Sequence, residues 1–228
     1  MAQPDVDLVN LARGADLAAL IPDAALVVTT AGPDSGCDLG DGGPGDLRRA
    51  GATVVRGAGP RDVVVRFEVP PDPDALAGFV EGAVLAAWRP PRVTVAVTGR
   101  RPSNGAGPAH VRLVVQGQSS ARMRVLQQGL ERGLAVARVA VRSRDLAATV
   151  SSTKTPQWLA ERAAAVAAET GLDVQVWDER RLAADGFGGL LAVGGGSASG
   201  PRLVRLSYRP RARPRSCRCA SAASPRSA

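Results

Sequence analysis

The feature that most constrains the fold of this chain is a segment enclosed by two proline pairs, PPDPDALAGFVEGAVLAAWRPP. Asp72 can cap the first N–H groups of a helix that begins at Pro73, and proline suits that first turn. Pro90 and Pro91 end the helix, because proline cannot continue it. Apolar residues recur at helical spacing in between, at Leu76, Phe79, Val80, Ala83, Val84, Ala87 and Trp88. The segment predicts a helix with one face in a hydrophobic core.

Strand-like and helix-like segments alternate on both sides of this helix. Apolar alternation or β-branched runs predict strands at VDLVNLA, AALVVTTA, 62–69, 92–99 and 110–117. Helical spacing predicts a short helix that starts near Asp46 and a long one from Ser119 to about Asp145. This alternation is typical of an α/β layer structure, which we predict to contain a mixed sheet.

A second unit follows Asp145. Thr155 and Pro156 open a helix that Gly171 ends, and the strand-like segment LDVQVWDE comes next. A short helix at 179–185, a glycine-rich stretch and a last strand, LVRLSY, complete it. We therefore expect an N-terminal mixed-sheet α/β domain, followed by the opening helix and strand segments of an incomplete second domain.

Composition limits the classes of function. Hydrophobic residues make up 45% of the 228-residue chain, enough for a core, and no run approaches the roughly 20 apolar residues of a membrane-spanning helix. With no signal-peptide pattern at the N-terminus, a cytoplasmic protein is expected. Three cysteines, Cys37, Cys217 and Cys219, make a disulfide framework improbable, and the last two lack the partner pair that a zinc site needs.

The positive charge is concentrated at the C-terminal end. The net charge is +8, but residues 211–228 contain five arginines and no acid, which leaves +3 for the rest of the chain. Aromatic residues make up only 3%, and the body of the chain shows no basic stripe interleaved with aromatics. Nucleic-acid binding is therefore not expected, although a basic α/β module that binds nucleic acid or another polyanion remains the alternative.

Three motifs could carry chemistry. GDGGPG, with Gly40, Gly42 and Gly45, fits the dinucleotide-binding pattern, but a strand should precede it directly, so we interpret it as a turn before a helix. The run 194–196 lacks the lysine and hydroxyl residue of a phosphate-binding loop and predicts a tight turn. The only histidine, His110, has no adjacent motif that would supply a nucleophile, so a catalytic role is not expected.

The most specific motifs lie late in the chain: GFGGLLAVGGGS from Gly186 and PRLVRLSY from Pro201. Before them come RDL at Arg144, TP at Thr155 and VQVWDERRL at Val174. In this order and spacing they resemble the junction between the N-terminal and catalytic domains of leucyl (cytosol) aminopeptidases. Shorter pieces, GDGGPGDLRRAGA, FVEGAVLAAWR and LERGLAVAR, are similar to the N-terminal domain of the same family.

The resemblance implies a domain organisation. Residues 1–145 correspond to the family's N-terminal α/β domain, with 1–38 poorly matched, and residues 146–210 to the start of a catalytic domain that is incomplete. We expect 211–228 to be a disordered tail. For intact members, the family implies metal-dependent removal of N-terminal residues from peptides with two divalent ions, manganese or zinc. It also implies hexameric assembly and a cytoplasmic location.

This chain departs from the family pattern at its functional stretches. Where the family reads R-D-L-x-N-T-P, this chain has RDLAATV from Arg144. The family's V-G-K-G, F-D-T-G-G and N-T-D-A-E-G-R-L stretches, which carry the metal-binding and catalytic residues, have no counterpart here. We therefore assign no catalytic, metal-binding or cofactor-binding residue. The hypothesis from sequence is a non-catalytic fragment, truncated by a frameshift near Pro210, with no cofactor of its own.

Overall fold

The computed structural model describes residues 3–13, 26–29, 42–90 and 107–209. The chain divides into two compact units, residues 1–149 and 150–228. No helix in the described part is long and apolar enough to cross a membrane. In the first unit the elements are β1 (Asp5–Leu11), β2 (Leu26–Thr29), α1 (Pro44–Ala58), β3 (Val63–Arg66), α2 (Pro73–Ala87), β4 (His110–Gln116) and α3 (Ser120–Ala148).

A four-stranded sheet in the order β1-β4-β3-β2 forms the base of the first unit. The three strand pairs of this sheet are parallel; Leu113 of β4 is opposite Val65 on one side and Leu8 on the other. α1 lies between β2 and β3, and α2 lies between β3 and β4. A crossover that contains a helix can return the chain to the same end of the sheet, as parallel pairing requires. The mixed pairing expected from sequence does not occur among these four strands, and the strand predicted at 92–99 lies outside the described residues.

The core of the first unit lies between this sheet and its helices. Phe67 from the end of β3 meets Phe79 of α2 edge to face, with ring centroids 5.5 Å apart. The apolar stripe predicted on α2 is confirmed, since its first five members are fully buried and Ala87 and Trp88 are half-buried. The same core contains Val55, Leu113, Leu126, Leu130 and Ala137.

Three elements begin or end at residues other than those predicted. β3 ends at Arg66 rather than near 69, because the chain bends ahead of Pro70, which has no N–H to give to a strand partner. α1 is longer than predicted, since Pro44 occupies its first turn. α3 continues to Ala148, three residues past the predicted end.

The second unit has α4 (Pro156–Thr170), β5 (Asp173–Trp177), α5 (Glu179–Ala184), α6 (Gly188–Gly194) and β6 (Leu203–Ser207). β5 and β6 form a two-stranded antiparallel sheet. The caps predicted for α4 are confirmed: the Thr155 hydroxyl accepts from the Trp158 N–H at 3.1 Å, and Gly171 ends the helix at φ 69°. The buried apolar residues described in this unit are Ala160, Ala167, Trp177 and Leu182.

Candidate functional site

A cleft of about 270 Å³ lies on the outer side of α1, α2 and α3. Its lining includes Ala77 and Gly78 of α2 and the members of two ion pairs. Arg48 of α1 donates to Glu81 of α2, and Arg132 of α3 donates to Asp74 of α2. The lining residues are Pro44, Gly45, Arg48, Asp74, Ala77, Gly78, Glu81, Arg132, Gly133 and Val136.

The charges in this cleft neutralise each other. The hydrogen bond to Glu81 raises the pKa of the Arg48 guanidinium above its ordinary value, so Arg48 stays charged at any physiological pH. The lining includes no serine, cysteine or histidine. The cleft therefore contains neither a nucleophile nor a spare base, and its ion pairs link α2 to the helices on either side.

Glycines bring these helices into close contact. A Cβ at Gly78 would collide with the carbonyl oxygen of Pro44, and one at Gly82 with that of Arg48. On the other side of α2, a Cβ at Gly129 or Gly133 of α3 would collide with its backbone. The sequence interpretation did not predict this close packing of helices. The signal for it is the i, i+4 spacing of the glycines in α2 and in α3.

His110 lies at the start of β4 with its side chain 63% exposed. Its Nδ1 is 3.9 Å from the Asp5 carboxylate, and its backbone N–H donates to the Asp62 carboxylate at 2.9 Å. The carboxylate of Asp62 thus binds backbone where β3 and β4 begin. The cavity of about 160 Å³ beside it is lined by Asp62, Val63, Val64, His110 and Arg112, which offer no serine or cysteine nucleophile.

The glycine motifs lie at helix ends and in the turns beside them: Gly45 is in the first turn of α1, and Gly194 is the last residue of α6. Gly42 has φ 75° and Gly43 is the N-cap of α1, as expected for a turn before a helix, while Gly40 lies outside the described residues. In the second unit, Gly195 and Gly196 form a turn directly after α6, which confirms the predicted turn at these two residues of the run 194–196. The three cysteines and the predicted tail at 211–228 lie outside the described residues.

Arg144 and Asp145, the start of the RDL motif, contact the end of α2. The Asp145 carboxylate accepts from the indole N–H of Trp88 at 2.8 Å, and the Arg144 guanidinium lies 5.5 Å from the centre of the same indole. Arg144 also donates to the carbonyl of Leu85 at 3.0 Å. These contacts join the last turns of α3 and α2, and they give this part of the motif a structural role in the first unit.

A tryptophan organises the second unit. Trp177, 7% exposed, donates its indole N–H to Asp185 at 2.7 Å. The Arg181 and Arg205 guanidiniums lie 4.7 and 5.7 Å from the centre of its ring, and Phe187 meets it edge to face. Cation–π contacts of this kind stabilise a fold by about 0.5–1 kcal/mol each at exposed sites. The VQVWDERRL motif therefore builds the local core of this unit.

The described carboxylates do not fit a two-metal centre. Two divalent ions need several convergent oxygen ligands. Within the described ranges no group of three or more histidine, cysteine, aspartate or glutamate side chains could hold a metal ion. Carboxylates instead pair with arginines, as in Arg48–Glu81, Arg49–Asp46, Arg112–Asp7, Arg132–Asp74, Arg181–Asp185, Arg202–Glu179 and Arg209–Asp173.

Comparison with protein families gives a match in the later part of the chain. The model of the cytosol aminopeptidase family, catalytic domain, matches residues 141–219. The match begins within α3 and continues past Pro210, where the resemblance recognised from sequence ends.

Curated bacterial proteins are similar over most of the chain. The probable cytosol aminopeptidase of Streptomyces avermitilis is 37% identical over 190 residues, which is 82% of this chain and 36% of that protein. The one from Streptomyces coelicolor is 37% identical over 174 residues, 72% of this chain and 33% of that protein. This chain thus spans about a third of the length of the curated relatives it matches.

Solved structures share the fold. The bottromycin maturation enzyme BotP in complex with Mn is 26% identical, with a TM-score of 0.60, over 91% of this chain and 46% of that chain. A mutant of tomato leucine aminopeptidase has a TM-score of 0.65 at 14% identity, over 94% of this chain and 54% of that chain. The similarity to the tomato enzyme shows the α/β fold alone.

Proposed function

The chain belongs to the cytosol aminopeptidase family, and from this membership we propose that it supplies the N-terminal α/β domain and the first part of the catalytic domain of a metal-dependent aminopeptidase. In this proposal the complete enzyme removes N-terminal residues from peptides. The observation that carries it is the match of residues 141–219 to the family's catalytic domain, together with relatives that are similar over both units.

We further propose that this stretch of chain does not hydrolyse peptides by itself. A two-metal peptidase activates water between two ions and holds them with bridging carboxylates. The arginine pairing of the described carboxylates supports the proposal, because a carboxylate engaged by a guanidinium is poorly placed to bind a metal. We also propose that the complete enzyme assembles into oligomers and acts on peptides, as the family resemblance implies.

An activity assay tests this proposal. We expect the purified chain to release no chromophore from a leucine anilide in the presence of manganese, the metal bound in the BotP structure. The Streptomyces avermitilis relative, assayed in parallel, is the positive control. Turnover that follows this chain through purification and stops on chelation would show that it contains a complete metal site.

The alternative, a basic module that binds nucleic acid, is not favoured. Seven arginines of the described part are paired with carboxylates, so they do not form a basic stripe. The remaining excess positive charge is concentrated in residues 211–228. Strong, salt-sensitive DNA binding that persists after removal of these residues would favour the alternative.

A further inference from the structure

The outward side of α3 carries three solvent-exposed valines, which we name the valine stripe. Val125, Val136 and Val139 are 42%, 48% and 67% exposed. Because each helical residue turns the chain by about 100°, their spacing places all three within roughly 60° of one another around the axis. The stripe is about 21 Å long, or about four turns. Val136 also lines the cleft described above, so the stripe borders a depression that can receive a side chain.

Neither local propensity nor packing within the first unit accounts for the valine stripe. Valine is less favourable than alanine in a helix, because its branched Cβ loses rotamer freedom there. α3 contributes to the core of the first unit through a different side, on which Leu126, Leu130 and Ala137 are buried. The stripe thus retains apolar area that a partner would stabilise by about 25 cal/mol per Å² on burial.

Charged side chains follow one edge of the valine stripe. Arg124, Glu131 and Arg138 recur every seven residues, so they form a row beside the stripe, and all three are exposed. Many other arginines bind carboxylates of the same chain, as Arg48 binds Glu81. Among the described residues no carboxylate pairs with Arg124 or Arg138. The edge therefore presents an alternating row of positive, negative and positive charge to a partner.

This arrangement matches the side chains of a second helix. An amphipathic helix presents apolar residues every three to four positions, which suits a stripe about four turns long. Acidic residues on its edge would pair with Arg124 and Arg138, and a basic residue between them would pair with Glu131. Such complementary charges fix the register of a partner and exclude partners with the opposite pattern.

The row of charges disfavours two other occupants. In an antiparallel two-fold pair of α3 helices centred on Glu131, the same edge of each helix faces its copy. Arginines would then meet arginines and glutamate would meet glutamate, and like charges across an interface repel. An anionic membrane is also a poor match, because Glu131 lies in the row and the stripe contains no aromatic side chain.

We propose that the valine stripe and its charged edge form a docking surface for an amphipathic helix of a partner protein, with acidic residues that face Arg124 and Arg138. The docking surface is separate from the proposed aminopeptidase function, because it consists of α3 residues alone. Its test therefore measures binding and requires no peptide hydrolysis.

A synthetic helix serves as the probe. It is about three heptads long, with leucine at the two apolar positions of each heptad, glutamate at the edge positions that face the arginines, and lysine between them. A control peptide has the signs of these charges reversed. Binding of each fluorescein-labelled peptide to the full chain is measured by fluorescence anisotropy, with the peptide at nanomolar concentration so that it does not pair with itself.

Four variants of the full chain distinguish docking from general attraction. Val139→Asp places a charge on the stripe, and Arg138→Glu reverses one charge of the edge. Because Val139 is 67% exposed, its replacement leaves the core unchanged. The matched controls lie in the second unit: Val193→Asp at a valine that is 89% exposed, and Arg180→Glu at an exposed arginine.

We expect Val139→Asp and Arg138→Glu each to weaken binding of the probe at least fivefold, with less than a twofold change for either control. The double variant Arg124→Glu, Arg138→Glu is expected to bind the sign-reversed peptide more tightly than the unaltered chain does.

Three results would overturn the proposal. The first is no saturable binding of the probe, and the second is equal weakening by the control variants, which indicates general charge attraction. The third is self-association of the chain, seen in sedimentation and abolished by Val139→Asp, which would assign the valine stripe to a second copy.

Discussion

At the residue scale, glycines decide how the first unit packs. Gly51, Gly78 and Gly82 lie where α1 and α2 touch, and each leaves room for a backbone carbonyl of the facing helix. Gly129 and Gly133 do the same between α3 and α2. Glycine weakens an isolated helix by about 1 kcal/mol relative to alanine, so these positions gain stability from close packing and not from local propensity.

The substitution Gly82→Ala tests this role. The new methyl would overlap the carbonyl oxygen of Arg48, which is backbone and cannot move aside cheaply. We expect a loss of about 1–3 kcal/mol in the free energy of unfolding, the usual cost of overpacking, measured by urea denaturation.

Gly57→Ala in α1 is the matched control, because a Cβ there meets no atom within 4 Å. Alanine favours the helix at such an open position, and we expect the control to gain up to about 1 kcal/mol. Similar effects of the two substitutions would show that close packing at Gly82 does not contribute to stability.

At the element scale, the contacts of Trp88 hold the end of α3 against the end of α2. The indole N–H donates to the Asp145 carboxylate, and the Arg144 guanidinium lies over the indole ring. Both residues belong to the segment by which the sequence resembles the junction of two domains. The structure places them in contacts within the first unit, where they fix the last turns of the 29-residue helix α3.

The substitution Asp145→Ala removes the acceptor for the indole N–H. A hydrogen bond to a charged group contributes about 1.5–3 kcal/mol, and we expect a loss of this order in the free energy of unfolding of the first unit. Asp145→Asn retains a side-chain oxygen and should restore at least half of the loss. If Asp145→Asn and Asp145→Ala lower the free energy of unfolding equally, the hydrogen bond to Trp88 is not the cause of the loss.

At the scale of the whole molecule, the two units differ in how much they bury. The first has a continuous core between a parallel sheet and its helices. In the described part of the second unit, the buried apolar residues are two alanines together with Trp177 and Leu182. Leu159, Leu190 and Val193 are exposed. Because buried apolar area is the main stabilising contribution to folding, the second unit is expected to open more readily.

Limited proteolysis measures this difference. We expect a protease of broad specificity to cut within residues 150–209 before it cuts α2 or α3, with the fragments identified by mass spectrometry. Cleavage of a native protein requires local opening, which costs least where the core is smallest. Equal resistance of the two units would contradict the assignment of the second unit as the less stable one.

The sequence by itself determined the local elements and the family. Prolines, caps and apolar spacing placed α2, α4 and β4 because these signals act within a few residues of where they stand. The same signals are weaker where no proline or glycine stands at the boundary, and so α3 ended three residues later than predicted. β3 ended earlier than predicted because the chain bends ahead of Pro70.

Only the tertiary structure decided which residues meet. It made the four-stranded sheet parallel, brought the glycines of α1, α2 and α3 against facing backbones, and placed Asp145 beside Trp88, 57 residues earlier in the chain. Such outcomes depend on distances between residues far apart in sequence, and the pattern of one segment contains no information about the segment that will face it.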